Sequence, residues 1–313
     1  MHVVLVGPGA LGSMLAVRLA PLLGGEEESL TLLDHNRQRA DFIADNGITL
    51  YQGTDASQVT TIHPVITTDP SAISKCEVIL LCVKSGATAQ ALLHAAPLIR
   101  EDTLIVGLQN GMAHLENLRR TRGIAVAAVS SAGATLMAPG QVMDGGAGVT
   151  RFGLLTPLPS PPKRLHDLVA LFNRAGLEAE AVPDIMARIW EKLFVNVAIN
   201  ALTAIHRRKN GQLLTSCSIR NSMKKAVSEA MAVARGQQIE IDYDPVATAF
   251  AVCRRTRNNT SSMLQDVLKQ RPTEIAAING FIVEQGKQLG IDTPVNAELV
   301  RKVREIEQSW PTA

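Results

Sequence analysis

A glycine-rich segment near the start of the chain restricts the folds that the first half can adopt. Residues 2–6 (HVVLV) are a short valine-rich run typical of a buried parallel strand, and GPGALG follows directly at residues 7–12. Apolar residues then recur at helical spacing over residues 13–23. A strand, a G-x-G-x-x-G pattern and a helix in succession indicate a dinucleotide-binding domain, with a purely structural turn as the alternative.

Each glycine of this pattern would have its own role. Gly7 would allow the tight turn, Gly9 would let the backbone approach a pyrophosphate, and Gly12 would let the helix pack against the strand. The helix N-terminus adds backbone N–H groups and the positive end of the helix dipole. We therefore predict that the cofactor phosphates bind at Gly7, Gly9, Ala10, Leu11 and Gly12.

Apolar runs alternate with helical patterns through the rest of the first half. This alternation predicts an α/β fold with an open, mostly parallel sheet and helices on both faces. Beyond the first strand, strands are predicted at residues 30–33, 48–52, 60–65, 78–83, 103–108, 124–129, 149–154 and 177–182, with a polar turn at Gly53, Thr54 and Asp55, a hairpin within 135–144 and a helix at 165–175.

The second half differs from the first because no convincing strand follows Pro183. The chain is therefore predicted to have a dinucleotide-binding domain over residues 1–183 and an all-helical substrate and catalytic domain over residues 184–313. Helices are predicted at residues 190–205, 223–236, 246–257, 273–289 and 297–309, with Gly236 and Gly290 as helix ends.

Composition excludes several classes of partner. The net charge of +2 gives no electrostatic basis for a nucleic-acid or membrane partner, and no apolar run reaches transmembrane length. Cys76, Cys82, Cys217 and Cys253 lack metal-ligand spacing, so no metal site is predicted. We expect a reducing, cytoplasmic setting and no signal peptide.

The predicted helix at residues 190–205 (WEKLFVNVAINALTAI) is apolar on nearly all sides, which is typical of a buried helix. Lys192, Asn196 and Asn200 recur at four-residue spacing, so they lie on one face of this helix. Buried polar groups without partners destabilise a fold, and this face must therefore meet either a polar network in the core or a solvent-filled cleft. The helix alone does not decide between them.

Asp34 directly follows the predicted strand at residues 30–33. An acid there normally accepts the hydroxyls of the adenosine ribose and favours NAD. Residues 35–39 (HNRQR) also place cations nearby that could bind the 2′-phosphate of NADP, and Arg37 is the candidate. A third possibility is that Asp34 caps the following helix. The cofactor therefore stays open between NAD and NADP.

Other polar positions have both a functional and a structural interpretation. Lys84 and Asn110 follow strands at their carboxyl ends, where ligands of doubly wound sheets bind; an ordinary surface lysine and an Asn-Gly turn are the structural alternatives. Residues 258–266 (NNTSSMLQD) group small polar side chains that could simply cap a helix. Glu274 is predicted in the first turn of a helix, where acids usually interact with the dipole.

Six motifs stand out along the chain: GPGALG at residues 7–12, QNGM at 109–112, PGQV at 139–142, WEKLFVNVAINALTAI at 190–205, NTSSMLQDV at 259–267 and TEIAAINGF at 273–281. Together they resemble the motifs of the ketopantoate reductases (2-dehydropantoate 2-reductases). The family implies a Rossmann-type domain followed by an all-α domain like the C-terminal domain of 6-phosphogluconate dehydrogenase. It also implies reduction of ketopantoate to (R)-pantoate by NADPH in pantothenate and coenzyme A biosynthesis.

The resemblance also implies roles for individual residues. Lys192 matches the catalytic lysine, which would donate a proton to the ketone oxygen as hydride reaches the carbonyl carbon, and Glu274 matches its partner acid. The residues that match substrate contacts are Asn110, Asn196, Asn200, Asn259 and Ser262, and those that match cofactor contacts are Gly7, Gly9, Gly12, Lys84 and again Asn110.

Two positions depart from the family pattern. Members that use NADPH commonly have an arginine right after the second strand, whereas this chain has His35, preceded by Asp34. Arg37 is the candidate to replace that arginine. Asp144 follows PGQV where many members have a histidine, and we interpret it as a surface substitution.

Two other functions are compatible with these motifs. An NAD-dependent D-2-hydroxyacid dehydrogenase of the same superfamily would keep Lys192 and Glu274 but accept another 2-keto acid, and Asp34 favours this alternative. A non-catalytic dinucleotide sensor would not need a lysine, an acid and several amides at one site. For either enzyme the partner is a small-molecule 2-keto acid, and the helical domain could support a homodimer.

Overall fold

The computed structural model describes residues 1–25, 27–53, 58–146 and 148–311. The chain forms two compact units. The first contains Met1–Gln109 and His114–Ile185, and the second contains Asn110–Ala113 and Met186–Ala313. Thr54 and Asp55, which belong to the predicted polar turn, lie outside the described residues.

All strands found among the described residues belong to the first unit. In chain order they are β1 (His2–Val6), β2 (Ser29–Leu33), β3 (Ile48–Gln52), β4 (Gln58–Ile62), β5 (Val65–Thr67), β6 (Val78–Leu81), β7 (Leu104–Gly107), β8 (Ile124–Ser130), β9 (Ala134–Ala138), β10 (Gln141–Asp144), β11 (Thr150–Leu154) and β12 (Ala179–Ala181).

Eight strands form one sheet in the order β12-β11-β8-β7-β6-β1-β2-β5. Every neighbouring pair is parallel except β11 and β8. The central strands β1, β6 and β7 are buried on both faces, which explains why their sequences are continuous apolar runs rather than alternating ones. The predicted mostly parallel, Rossmann-type sheet is confirmed, and the segment at 177–182 rejoins it as β12.

A second sheet has four strands in the order β4-β3-β10-β9. The antiparallel pairing of β9 with β10 confirms the predicted hairpin within residues 135–144. The single strand predicted at 60–65 is wrong, because β4 ends at Ile62 in this sheet and β5 begins at Val65 in the larger one. Pro64 separates the two strands, and proline has no N–H to donate to a strand ladder.

Helices of the first unit connect the strands. Arg18 on one of them donates to the Asp144 carboxylate at 2.8 Å, and the Asp144 side chain is only 15% exposed. Asp144 is therefore not a simple surface substitution, because its carboxylate joins β10 to this helix through a half-buried ion pair. The helices are α1 (Ala10–Leu19), α2 (Arg37–Asn46), α3 (Thr88–Ala95), α4 (Leu115–Arg119) and α5 (Lys163–Arg174).

All regular secondary structure found among the described residues of the second unit is helical, as predicted. Gly290 ends one helix with a φ of +68°, a left-handed conformation that glycine adopts without steric cost. No helix that the structure describes combines the length and the apolar character needed to cross a bilayer. The helices are α6 (Ile185–His206), α7 (Asn210–Leu213), α8 (Cys217–Gly236), α9 (Pro245–Arg255), α10 (Ser262–Leu268), α11 (Asn279–Leu289) and α12 (Pro294–Gln308).

Glu274 does not lie in the first turn of a helix, so that prediction is wrong. The N–H groups of Ala277 and Ile278 both donate to the Glu274 carbonyl, at 3.0 and 3.1 Å. The Gly280 N–H then donates to Ile275, five residues back, instead of to the residue four back. This pattern makes residues 274–278 a separate turn, and α11 begins only at Asn279.

Candidate active site and cofactor-binding loop

The three glycines after β1 have the environments that a phosphate-binding loop requires. Gly7 has a φ of +90°, and a Cβ atom on Gly12 would lie 2.3 Å from the Gly7 carbonyl oxygen. Neither position can therefore hold a larger residue without backbone movement. A Cβ on Gly9 would have no neighbour within 4 Å, so the backbone there faces open space. These three environments fit a bound pyrophosphate.

The N-terminus of α1 supplies the hydrogen-bond donors of this loop. Gly9 is the N-cap and provides no side chain, and the first intrahelical bond runs from the Ser13 N–H to the Gly9 carbonyl at 2.9 Å. The backbone N–H groups of Ala10, Leu11 and Gly12 precede that bond. Helix N-terminal N–H groups of this kind bind anions, and the α1 dipole adds to the attraction.

Asp34 lies beside this loop with its carboxylate fully buried. The Gly7 N–H donates to the Leu33 carbonyl at 3.2 Å, and Asp34 is the next residue. Its side chain has 0% exposure and accepts two hydrogen bonds from Arg39, from Nε and Nη2, both at 2.6 Å. Asn36 is the N-cap of α2, so the interpretation of Asp34 as a helix cap is wrong.

The other predicted cofactor contacts of the first unit are exposed. Arg37 has a 79% exposed side chain whose Nε donates to Asp41, one turn along α2, at 2.9 Å. Lys84 is exposed and follows β6, and its carbonyl accepts from the Ala87 N–H at 2.9 Å. Lys84 therefore lies at the carboxyl end of a central strand, as its position in the sequence predicted.

Lys192 and Glu274 interact in the second unit. Lys192 is half-buried on α6, and this burial lowers the pKa of its ammonium group to about 8, while the nearby Glu274 carboxylate opposes the shift. An amine with this pKa is mainly protonated at neutral pH and still releases its proton readily. It is therefore suited to donating a proton in a reaction near neutrality.

Asn110 completes a small polar cluster with this pair. Its side-chain amide donates to the Glu274 carboxylate at 2.9 Å, and the Met112 N–H donates to the Ala277 carbonyl at 3.3 Å. Gly111 has a φ of +76°, and a Cβ there would lie 2.2 Å from the Ala277 carbonyl oxygen. Glycine at 111 is thus required for the close approach that places Asn110 against Glu274.

Asn196 and Asn200 follow Lys192 along one face of α6. Asn200 keeps 6% of its surface exposed, and Asn196 is half-buried. Among the described residues, neither side-chain amide has a hydrogen-bond partner. Partly buried amides without partners are costly unless a ligand or water meets them, so this face of α6 is suited to binding a polar molecule.

Asn259 lies in the loop before α10, and Ser262 lies at the start of that helix. Ser262 is exposed at the first position of that helix, while Asn259 is exposed and bonds through its backbone to Asn210 and Thr256. No described contact joins the Asn259 side chain to the cluster around Lys192. The structure therefore brings Lys192, Glu274 and Asn110 together, and it gives Asn259 no comparable contact.

Two residues that the sequence did not single out attach this loop to α6. The Thr203 hydroxyl donates to the Asn200 carbonyl at 2.8 Å and bonds the Ser261 hydroxyl at 2.6 Å. Ser261 is also the N-cap of α10, accepting from the Leu264 N–H at 3.1 Å. The Ser before an apolar run was a capping signal in the sequence, but its bond to Thr203 was not.

Comparisons with known proteins agree over both units. Family models described as "Ketopantoate reductase PanE/ApbA" and "Ketopantoate reductase PanE/ApbA C terminal" match residues 3–157 and 184–307. A 2-dehydropantoate 2-reductase of Halobacterium salinarum is 31% identical over 97% of this chain and 98% of its own length. A ketopantoate reductase structure from Ralstonia eutropha has a TM-score of 0.88 and 29% identity, covering 98% and 99% of the two chains. D-mandelate dehydrogenase with NADH and anilino(oxo)acetate has a TM-score of 0.87 and 25% identity, covering 99% of each chain.

Proposed function

Because the chain belongs to the ketopantoate reductase family, an enzyme family of NAD(P)-dependent oxidoreductases, we propose that it reduces 2-dehydropantoate to (R)-pantoate with NADPH. This step leads towards pantothenate and coenzyme A. The observation that carries the proposal is Lys192, half-buried on α6 with its pKa lowered to about 8 and with Glu274 as its charged neighbour.

Lys192 is the general acid of the proposed reaction. Gly7, Gly9 and Gly12 would hold a nicotinamide dinucleotide, which would supply the hydride for the ketone carbon. Negative charge then develops on the ketone oxygen, and the Lys192 ammonium stabilises it by hydrogen bonding and donates a proton to it. Glu274 favours the charged form of Lys192, so the lysine holds its proton until the hydride arrives.

The amides of α6 orient the substrate. Asn196 and Asn200 lie one and two helical turns beyond Lys192. Their side-chain amides present the hydrogen-bonding groups that a hydroxyl and a carboxylate require. Ser262 and Asn259 add donors from the loop at α10, and Asn110 reaches the substrate region through its bond to Glu274. A 2-keto acid that also carries a hydroxyl group forms more hydrogen bonds with these side chains than a 2-keto acid without one.

Steady-state kinetics tests the proposal. The purified protein is assayed with 2-dehydropantoate and either NADPH or NADH, and the variants Lys192→Ala and Lys225→Ala are compared. Lys225 lies exposed on α8 and serves as a matched control. We expect turnover with NADPH that falls strongly only in Lys192→Ala. Absence of turnover with both cofactors contradicts the proposed substrate.

A second candidate is an NAD-dependent D-2-hydroxyacid dehydrogenase. The similarity to D-mandelate dehydrogenase with NADH, with a TM-score of 0.87 over 99% of the chain, favours it. This alternative keeps Lys192 and Glu274 in the same roles and changes only the keto acid. A panel of aromatic and branched 2-keto acids separates the two functions: a higher kcat/KM for any of them than for 2-dehydropantoate supports the dehydrogenase.

A further inference from the structure

We propose that Asp34 orients Arg39 to bind the 2′-phosphate of NADPH, so that in this chain an acid after the second strand favours NADPH instead of NAD. This inference rests on the proposed function only in assuming that the glycine loop binds a nicotinamide dinucleotide. It concerns the first unit alone and does not depend on which keto acid is reduced.

The Asp34 carboxylate is already occupied. It accepts from Arg39 Nε and Nη2, both at 2.6 Å, and from the Asn36 backbone N–H at 3.0 Å, and its side chain has 0% exposure. An acid that selects NAD must present free oxygen lone pairs to the ribose hydroxyls. Asp34 could do so only by breaking a buried, bidentate ion pair, which is strongly unfavourable.

Arg39 keeps donors available for a phosphate. A guanidinium group has about five N–H donors, and the pair with Asp34 uses the Nε donor and one from Nη2. The remaining donors are on Nη1 and on the second N–H of Nη2. The Arg39 side chain is 33% exposed, whereas the carboxylate beneath it is inaccessible. Arg39 therefore presents a fixed donor edge, and guanidinium edges match phosphate oxygens.

Asp34 and Arg39 lie where a dinucleotide-binding domain contacts the adenosine ribose. Gly7 of the phosphate-binding loop donates to the Leu33 carbonyl at 3.2 Å, directly before Asp34. In dinucleotide-binding domains the residue after the second strand contacts the ribose 2′-position, and an arginine near it accommodates a 2′-phosphate. Asp34 occupies that place in the chain, and Arg39 is the group that it holds there.

Arg37, the arginine suggested by the sequence, is a poorer candidate. Its side chain is 79% exposed and its Nε bonds Asp41, which is itself 57% exposed, an arrangement that leaves the position of Arg37 weakly fixed. Arg39 differs because a buried carboxylate fixes its orientation before any ligand arrives. Orientation fixed in advance reduces the entropy lost on binding, so a phosphate gains more from Arg39 than from Arg37.

Cofactor binding without a keto acid tests the proposal. Dissociation constants of NADPH and NADH are measured by fluorescence titration for the wild type, Arg39→Met and Arg37→Met. We expect the wild type to prefer NADPH, Arg39→Met to weaken NADPH binding by roughly 10- to 100-fold and NADH binding by less than about threefold, and Arg37→Met to leave both nearly unchanged. A wild type that prefers NADH, or an Arg39→Met that keeps the NADPH affinity, overturns the proposal.

The variant Asp34→Asn distinguishes two roles of the Asp34 carboxylate, which are orienting Arg39 and binding the ribose of NAD. If Asp34 orients Arg39, this variant weakens NADPH binding and leaves NADH binding within about threefold. If Asp34 binds the ribose of NAD, it weakens NADH binding and strengthens NADPH binding, and the proposal fails. The double variant Asp34→Asn with Arg39→Met removes both charges, so a folding defect from one unpaired buried charge does not obscure the result. The double variant should lose the preference for NADPH.

Adenosine 2′-monophosphate and adenosine 5′-monophosphate provide an independent probe. Each is titrated as a competitor of bound NADPH, so hydride transfer plays no part. We expect the 2′-monophosphate to compete better in the wild type and to lose that advantage in Arg39→Met. Equal competition by both nucleotides in the wild type contradicts the proposal. Because these measurements omit the keto acid, their outcome does not depend on whether 2-dehydropantoate is the substrate.

Discussion

The glycine loop of the first unit and the polar face of α6 are built in opposite ways. The loop works through its backbone: Gly7, Gly9 and Gly12 matter because they lack a Cβ, and the N-terminus of α1 supplies the donors. The face of α6 works through side chains, since burial lowers the pKa of Lys192 to about 8 against the opposing effect of the Glu274 carboxylate. Substitutions should therefore affect the loop by steric exclusion and the helix face by loss of a particular group.

Lys192→Ala should have the largest effect. Removing the proton donor and the ammonium charge should lower kcat by roughly 10²- to 10⁴-fold, because both functions act at the transition state. The dissociation constant of NADPH, measured by titration, should stay within about threefold because the loop is intact. A kcat within tenfold of the wild type would mean that the reaction does not depend on this lysine.

Gly12→Ala and Gly9→Ala should have different consequences within the loop. A Cβ at Gly12 would lie 2.3 Å from the Gly7 oxygen, so this variant should lose about 1–3 kcal/mol of unfolding free energy. A Cβ at Gly9 has no neighbour within 4 Å, so Gly9→Ala should keep the Tm and weaken NADPH binding roughly tenfold. Thermal melts and titrations of both variants check this, and equal melting losses would refute the assignment.

Glu274→Gln should shift the pH dependence of the reaction. The Glu274 carboxylate raises the pKa of Lys192 against the effect of burial, so the neutral amide should allow that pKa to fall below about 8. The pH above which kcat/KM declines should move downwards, by about one unit or less. Glu284→Gln, an exposed position on α11, is the control and should leave the profile unchanged. An upward movement would show that Glu274 acts differently.

Ser261→Ala should produce the smallest change. The variant loses the N-cap of α10 and the 2.6 Å bond to Thr203, and should cost about 1–2 kcal/mol of unfolding free energy. Ser216→Ala, at the half-buried cap of α8 with a 3.5 Å bond, should cost less. Urea unfolding of both proteins provides the comparison. A larger loss for Ser216→Ala would contradict the importance of the buried pair.

Local backbone rules made the loop predictable from sequence. The spacing of Gly7, Gly9 and Gly12 between a strand and a helix depends only on neighbouring residues, and the same holds for Gly290 at its helix end. The four-residue spacing of Lys192, Asn196 and Asn200 likewise follows from helix geometry, so their common face was predictable.

Contacts that depend on the path of the folded chain were not predictable in this way. The sequence predicts a ribose contact or a cap for Asp34 because the pairing of Asp34 with Arg39 depends on the path of α2. The sequence predicts a surface position for Asp144 because nothing in it connects Asp144 to Arg18. It predicts a helix at Glu274 because a turn and a first helical turn have the same apolar spacing. The bond between Ser261 and Thr203 also joins segments 58 residues apart.

The pH dependence of kcat/KM for wild-type reduction of 2-dehydropantoate tests the central claim about Lys192 most directly. The protonated lysine is the active form, and kcat/KM reports the pKa of the free enzyme, so the value should be level below about pH 8 and fall about tenfold per pH unit above it. A profile that stays level to pH 10, the range of an unperturbed lysine, would contradict a half-buried Lys192 acting as the general acid.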